Sequence, residues 1–554
     1  MKQLLQNWLV TQSQLRPDAV AIVDRGISST YGAVERASNR LARALKHAGC
    51  VRGDRIALMV PKSARAITAM FAALKADCLY VPIDTRSPAA RIERILEACE
   101  CRIILAERST AQLVEEIVKG RRLPAIPRLG WLDGGAELPS PVHTAFRASD
   151  LESFEDTTVE SQNDPADGAH ILFTSGSTGA PKGVVITHSN VTHFVEWAVS
   201  HFGLGSDDRI SGHPPLHFDL STFDIYGTLA VGAQIHLVPP ELNLLPAQLA
   251  EFIRDAQLTQ WFSAPSAVLP LAKNDLVRSN DFPKLRRLLW CGEKFPAPAL
   301  IYWMRRLPHV DFVNLYGPTE ATIASSFHHV TAIPSDDTAE IPIGTPCAGE
   351  SLYILDKYLR QTAPGETGDL YIGGVGLSPG YWKDPAKTNE CFLKNPFTGE
   401  EDDRIYMTGD LARLGSDGLV YLLGRADSQI KVRGHRIELG DIEAALHATP
   451  GIQDAAVVAV DGAEEGEKVI CCAYVAADTP DLPLLVLKKK LAKALPRHMI
   501  PTRWLALDTM PRNANGKVDR AWLKTRFAQR TLRTPPKNVL TVRQSLLQKS
   551  EIRP

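Results

Sequence analysis

The chain has 554 residues, more than one ordinary hydrophobic core accommodates, so two or more domains are expected. Hydrophobic residues make up 44% and charged residues 23%, and 62 Lys plus Arg against 63 Asp plus Glu leave a formal charge of -1, the balance of a soluble globular protein with no general attraction to nucleic acid or membrane. No apolar run reaches the roughly 18 residues of a membrane span, the start Met1 to Trp8 is too polar for a signal peptide, and nine cysteines without a C-x-x-C pattern argue against a disulfide framework or a zinc ribbon. Cys99 and Cys101, and the adjacent Cys471 and Cys472, are expected to be reduced and structural, in a cytoplasmic multidomain enzyme.

In chain order, Tyr31 to Ala48 carries apolar residues at helical spacing, Arg55 to Val60 reads as a strand, Ala64 to Ala76 as a helix and Leu79 to Ile83 as a strand. This alternation predicts α/β layering around a largely parallel sheet. Residues 149–167 are polar and acidic and read as a loop. The apolar run Ile171-Leu172-Phe173 then leads into Thr174-Ser175-Gly176-Ser177-Thr178-Gly179-Ala180-Pro181-Lys182-Gly183. Glycines let a backbone approach a polyanion, successive N–H groups and hydroxyls can cradle phosphate, and Lys182 adds a point charge. The stretch fits no Walker pattern, and its composition alone favours a surface turn.

Short apolar runs at Trp261 to Ala264, Leu288 to Cys291 and Asp311 to Leu315 each end in turn chemistry: Pro265-Ser266, Gly292-Glu293 and Gly317-Pro318. In open α/β sheets ligands bind beyond the carboxyl ends of the strands, so these turns are site candidates. Residues 340–424 become Gly-rich with short strands, a β-rich subdomain. A joint at Gly424 to Asp427 precedes a smaller unit with a helix at Leu439 to Ala448 and strands at Ala455 to Val460 and Ile470 to Val475, ending near Lys524. The expected division is a large domain over 1–424, a hinge over 425–427, a small C-terminal α+β domain over 428–529 and a flexible tail over 530–554.

Eight ordered motifs together are far more specific than any one. They are Leu74 to Asp84, the loop 174–183, Phe218 to Ser221, Asn314 to Glu320, Gly373 to Tyr381, Tyr406 to Leu411, Gly424-Arg425 through Gly440, and Asn515 to Arg520. With them the chain resembles the adenylate-forming superfamily, and within it the amino-acid adenylation enzymes of nonribosomal peptide synthesis, over roughly residues 10–525. The resemblance implies a ligase of two half-reactions. A carboxylate attacks the α-phosphate of ATP to give an acyl-adenylate and pyrophosphate, and a carrier thiol then attacks the adenylate. Positioning and charge neutralisation dominate such chemistry.

It further implies that Thr174 to Gly179 and Lys182 hold the outer phosphates, that Thr319 contacts the α-phosphate and that Glu320 holds Mg²⁺, a hard cation suited to a carboxylate. By itself Glu320 also reads as an acid at a helix start. Tyr316 would stack on adenine, flanked by Gly292-Glu293, with Asn314 and Gly317 in the same motif. Asp410 would accept both ribose hydroxyls, with Arg425 nearby. Alone these read as a core tyrosine and an acid in a surface turn. Lys517 would bridge the substrate carboxylate and the α-phosphate, and Lys431 would face the site after the small domain rotates about Asp427.

Asp219 selects the substrate class. A carboxylate in an apolar setting is costly unless paired, and an α-ammonium would pair it; otherwise it caps the helix that follows. The side-chain pocket, by resemblance, has Leu220 and Phe223 on that helix. Phe262, Leu289 and Cys291 come from two strand ends, and Leu315, Ile323 and Ala324 complete it. With no second charge and bulky walls, a compact apolar amino acid is expected. The set is similar to that of stand-alone proline-activating members; valine, another aliphatic residue, or an acyl- or aryl-CoA ligase reaction are the alternatives. A non-catalytic relative would be expected to lack Lys517 or Glu320. Two departures stand out: Asp77-Cys78 where the family usually has Gly and a small residue, and Met407 in place of a basic residue. No carrier-type serine motif follows position 525, so a separate phosphopantetheinylated carrier protein is expected as partner, in a pathway of the antibiotic-biosynthesis kind.

Overall fold

The strands Gln260–Ser263, Arg287–Cys291 and Asp311–Tyr316 run parallel, with Phe262 opposite Leu289 and Leu289 opposite Val313. Side chains alternate across a strand. Phe262, Leu289, Cys291, Val313 and Leu315 therefore enter one core, while Trp261, Leu288, Trp290 and Phe312 enter another. This double burial is why these segments read as continuous apolar runs. The structure, a computed structural model, describes residues 3–531 except 121–126, 135–142, 175–180, 426–428, 433, 463–466, 477–482 and 513–517.

Among the described residues, these strands belong to a nine-stranded sheet whose six central members are parallel, and an eight-stranded sheet is built from Arg55–Met59, Leu79–Pro82 and Gly168–Thr174 with their neighbours. One core joins the facing sides of both sheets through the helices Tyr31–His47, Ala64–Lys75, His188–Phe202 and Leu220–Val231. The outer faces are covered by Pro246–Asp255 and Ala297–Arg306 on one side, and by Ala89–Cys99 and Ala111–Gly120 on the other. An antiparallel five-stranded sheet contains Glu350–Leu355, Thr367–Gly374, Arg404–Leu414 and Val420–Arg425, the β-rich part expected from the sequence.

The smaller C-terminal domain packs helices on both sides of a three-stranded sheet. Cys472 faces Leu439–His447 and Leu484–Leu491, while its neighbour Cys471 faces Arg520–Thr531. Alternation thus sends the two adjacent thiols to opposite faces, and both are free and buried, as are Cys99 and Cys101. The last helix runs to Thr531, past the end anticipated near Lys524, because Leu523 and Phe527 cover the sheet. The tail beyond 531 and the joint at Asp427 lie outside the described residues. No helix among the described residues is long and apolar enough to cross a membrane.

Caps explain the first helices: Thr30 and Ser63 each accept from the backbone N–H three residues on. Lys75, at the end of the second, is buried and donates to Glu35 (2.5 Å), Ser38 (2.8 Å) and Asn39 (2.7 Å). Burial lowers its pKa to about 8 against the pull of Glu35. The two unusual residues that follow also fit. Asp77 has φ of 61°, a left-handed conformation that glycine adopts freely and Asp tolerates. Its carboxylate accepts from Ser161, the Gln162 N–H and Lys46, tying the 149–167 segment to the helix end. Cys78 is buried.

Candidate active site

Asp219 precedes the helix Leu220–Val231 but makes no side-chain capping bond. Its Oδ2 instead accepts from Thr319 Oγ1 at 2.8 Å. Burial pushes its pKa up to about 6, while Thr319 and the charge of Lys431 pull the other way. The carboxylate is thus costly to ionise and ready for a cation. The eight predicted pocket residues come together: Phe223, Phe262, Leu289, Cys291, Leu315, Ile323 and Ala324 share the inner core, and Leu220 packs against it. Phe223 meets Phe262 edge-on with centroids 5.8 Å apart. Thr322 and Ile323 have φ of 53° and 71°, rare for β-branched residues. Such strain, about 1–3 kcal/mol per residue, concentrates at functional sites. Gly317 permits the reversal, because a Cβ there would lie 2.6 Å from Ala324 Cα.

On the opposite side of this turn, Tyr316 donates to Asp410 Oδ2 at 2.6 Å, and Arg425 Nη1 reaches Asp410 Oδ1 at 3.1 Å. Asp410 is thereby held by two partners and keeps acceptor capacity on each oxygen, the requirement for binding a diol. Burial and the neighbouring Asp410 hold the Tyr316 phenol far above its ordinary range, so it stays a donor. Asn314 is buried within its strand. Its Nδ2 donates to the Pro342 carbonyl at 2.8 Å, a tie between loop and strand. Gly292 adopts φ of 91° and leads to Glu293. The Glu293 carboxylate accepts from the Ser266 N–H at 3.2 Å and, from the small domain, the Gly434 N–H at 2.6 Å.

Thr174 and Lys182 face each other as register partners in an antiparallel hairpin, Gly168–Thr174 with Lys182–Thr187. The sequence reading anticipated the first strand alone. Ser175, Gly176, Ser177, Thr178 and Gly179 lie outside the described residues, as do Asp427 and Lys517. Lys182 Nζ lies 5.9 Å from the Tyr381 ring centroid, and Tyr381 donates to Glu320 Oε1 at 2.8 Å.

Glu320 is 1% exposed, and Arg436 Nη1 contacts its Oε1 at 3.0 Å and its Oε2 at 2.8 Å. Burial works to raise the Glu320 pKa, but Arg436 and Tyr381 more than offset it, so the carboxylate sits below its usual range and is charged. Among the described residues no group of three or more acidic, histidine or cysteine side chains could hold a metal ion. One buried, ionised carboxylate fits a hard ion that takes its other oxygens from phosphate and water, once the guanidinium no longer bridges it. Arg436 was not singled out from the sequence: its partner is 116 residues away, and only its place in the Gly424 to Gly440 motif could have flagged it. The same hairpin, Gln429–Val432 with His435–Glu438, places Lys431 opposite Arg436. His435 stacks on His498 at 3.6 Å and meets Phe218, beside Asp219, at 5.0 Å.

Residues 9–382 match the AMP-binding enzyme family and residues 441–517 the AMP-binding enzyme C-terminal domain. The chain is 36% identical over 506 residues to an L-proline–[L-prolyl-carrier protein] ligase of Pseudomonas fluorescens, covering 91% of this chain and 95% of the relative. A Streptomyces coelicolor protein of the same name is 35% identical over 500 residues, covering 88% and 90%. Among solved structures, the Vibrio cholerae adenylation domain AlmE in complex with glycyl-adenosine-5'-phosphate is similar, with a TM-score of 0.81, 25% identity, and coverage of 95% of this chain and 98% of that one.

Proposed function

The chain belongs to the AMP-binding enzyme family, and we propose that it activates L-proline with ATP and passes the prolyl group to the phosphopantetheine thiol of a separate carrier protein. The observation that carries the amino-acid assignment is Asp219. It is a carboxylate at the mouth of an apolar wall, held near the boundary of ionisation by burial. An α-ammonium there replaces lost hydration with a charge-assisted hydrogen bond. The eight wall residues are themselves uncharged, so a charged substrate side chain would find no partner among them. Proline meets both conditions, and the two relatives named as L-proline–[L-prolyl-carrier protein] ligases support that choice.

The chain's residues divide the work. Asp410, steadied by Tyr316 and Arg425, takes the ribose diol, and the Tyr316 ring offers a face for adenine. The loop Thr174 to Lys182 receives the outer phosphates. Glu320 holds Mg²⁺, which when bound neutralises phosphate charge. Lys517 draws the amino-acid carboxylate toward the α-phosphorus, bringing two anions together. A carboxylate oxygen then bonds to that phosphorus as the bond to pyrophosphate breaks. Thr319 is already engaged with Asp219, so it links the ammonium site to the α-phosphate side. In the second step the carrier sulfur bonds to the acyl carbon, its proton leaves, and the acyl–phosphate bond breaks to release AMP. Lys431, whose charge already reaches Asp219 and Cys291, is the cation for that step.

An ATP–pyrophosphate exchange panel over the amino acids tests this, with proline expected to give the strongest exchange. One methylene in an apolar pocket is worth about 1–3 kcal/mol, so valine is expected to follow at a lower rate. Strongest exchange with an aromatic or charged amino acid, or acyl transfer to coenzyme A in preference to a phosphopantetheinylated carrier, would overturn the reading.

A further inference from the structure

Glu320 needs a positive partner at every stage of the cycle, because an unpaired charge at 1% exposure is prohibitively costly. In this structure that partner is Arg436. One guanidinium nitrogen bridges both carboxylate oxygens at 3.0 and 2.8 Å, and Tyr381 donates to Oε1 at 2.8 Å. A magnesium ion requires an approach of about 2.1 Å and a near-octahedral shell of oxygens. Such a shell cannot be assembled on an oxygen pair already bridged by a guanidinium, and the two cations would repel.

We propose that Arg436 is the counter-cation that takes over Glu320 when the metal leaves with pyrophosphate, so that the small domain reaches its present position only on an emptied metal site. This rests on the reading of Glu320 as the metal-holding carboxylate. The hairpin makes the exchange a domain-level event. Arg436 stands directly opposite Lys431, and cross-strand partners share a face. Its neighbour Gly434 donates to Glu293. Arrival of the hairpin therefore delivers a guanidinium to Glu320, an N–H to Glu293 and the Lys431 charge to Asp219 together. Release of the first product then drives the turn toward the second step, and the small domain does not close on a site still holding metal and pyrophosphate. Arg436 is a positioning residue: it acts through Glu320 and need not touch the substrate.

The nine native cysteines are buried, so cysteines introduced at the exposed positions Tyr358 and Leu485 can carry a fluorescent donor and acceptor in the full-length protein. Energy transfer between them is followed while Mn²⁺ is titrated with a non-cleavable ATP analogue, and bound Mn²⁺ is counted by electron paramagnetic resonance. The expected result is a distance change that follows Mn²⁺ occupancy. In Arg436→Ala the Mn²⁺ midpoint falls by about tenfold and the distance is already changed before metal is added. Arg436→Lys keeps a buried cation but cannot bridge both oxygens, and shifts both readouts part of the way. If both readouts match the parent protein in whichever of the two variants folds, the proposal is overturned. Glu320→Gln separates the underlying reading: unchanged Mn²⁺ binding there removes the metal role of Glu320 and the proposal with it. Lost binding there, together with unaltered Arg436 variants, removes only the proposal.

Discussion

Thr319 Oγ1 donates to Asp219 Oδ2 at 2.8 Å across 100 residues of sequence, and this bond, not a helix cap, occupies the carboxylate. It stabilises the charged form that an α-ammonium requires, while burial holds the pKa near 6.

Amino-acid binding therefore depends on pH. Asp219 must be ionised to pair with an ammonium, so below about 6 the affinity falls by about tenfold per pH unit. Calorimetric titration of proline between pH 5 and 8, roughly the range over which that carboxylate ionises, checks this. Asp219→Asn is expected to bind weakly and without that dependence. Linkage gives a second readout. The folded pKa is raised, so Asp219's contribution to stability is full below the ordinary carboxylate range and is lost as pH rises through about 6. Asp219→Asn should then raise the melting temperature at pH 7 relative to the parent, with the advantage shrinking in acid.

Thr319→Val removes the donor but keeps the shape. A hydrogen bond to a charged group is worth about 1.5–3 kcal/mol, so the midpoint of the same titration moves up by roughly one to two pH units. A midpoint that stays put would detach Thr319 from the ammonium site.

Asp410→Asn turns half of a paired acceptor into a donor, facing both Tyr316 and Arg425. The KM for ATP in pyrophosphate exchange is expected to rise by about ten- to a hundredfold, with the KM for the amino acid little changed. Tyr316→Phe deletes one tie to Asp410 and should show the smaller shift of the two.

Gly434 has φ of 78°, and a Cβ there would lie 3.3 Å from Ala264 Cβ. Gly434→Leu adds strain of about 1–3 kcal/mol and bulk to this domain position alone. Single-turnover assays are expected to show adenylate formation preserved and thioester formation slowed by about tenfold or more. Equal loss in both steps would argue that the contact serves general folding.

Lys75→Met strands Glu35 in the core. Removing one member of a buried pair costs about 3–5 kcal/mol, visible as a lower urea midpoint. The double variant with Glu35→Leu is expected to recover most of that loss.

The layered fold was legible because its strands are buried on both faces and its helices carry one apolar stripe. Trp261 to Ala264 or Tyr31 to Ala48 need no partner to be recognised. The residues proposed for the pocket were chosen only by resemblance, since Phe223 and Ile323 look like any core residues, and the fold brings them into one cluster. What stayed hidden is what rotation and long range create. The pairing of Arg436 with Glu320 and of Gly434 with Glu293 joins separate domains, and although both glutamates stand out in their motifs, nothing local names their partners. Asn314 adds a contact that its motif does not announce: its Nδ2 donates to the Pro342 carbonyl. Asp77 lay between, because the left-handed turn that explains it is an expected property of a position usually held by glycine.

Cys291 belongs to the wall proposed to face the activated acyl group, its Sγ directed at the Ile323 carbonyl and its pKa pushed up to about 12 by burial. A sulfhydryl beside a mixed anhydride is a rival acceptor only as its thiolate. Burial keeps that group in its protonated thiol form at neutral pH. The enzyme can therefore line its pocket with sulfur without acylating itself, and the aminoacyl group is left for the one thiol that arrives free to shed its proton.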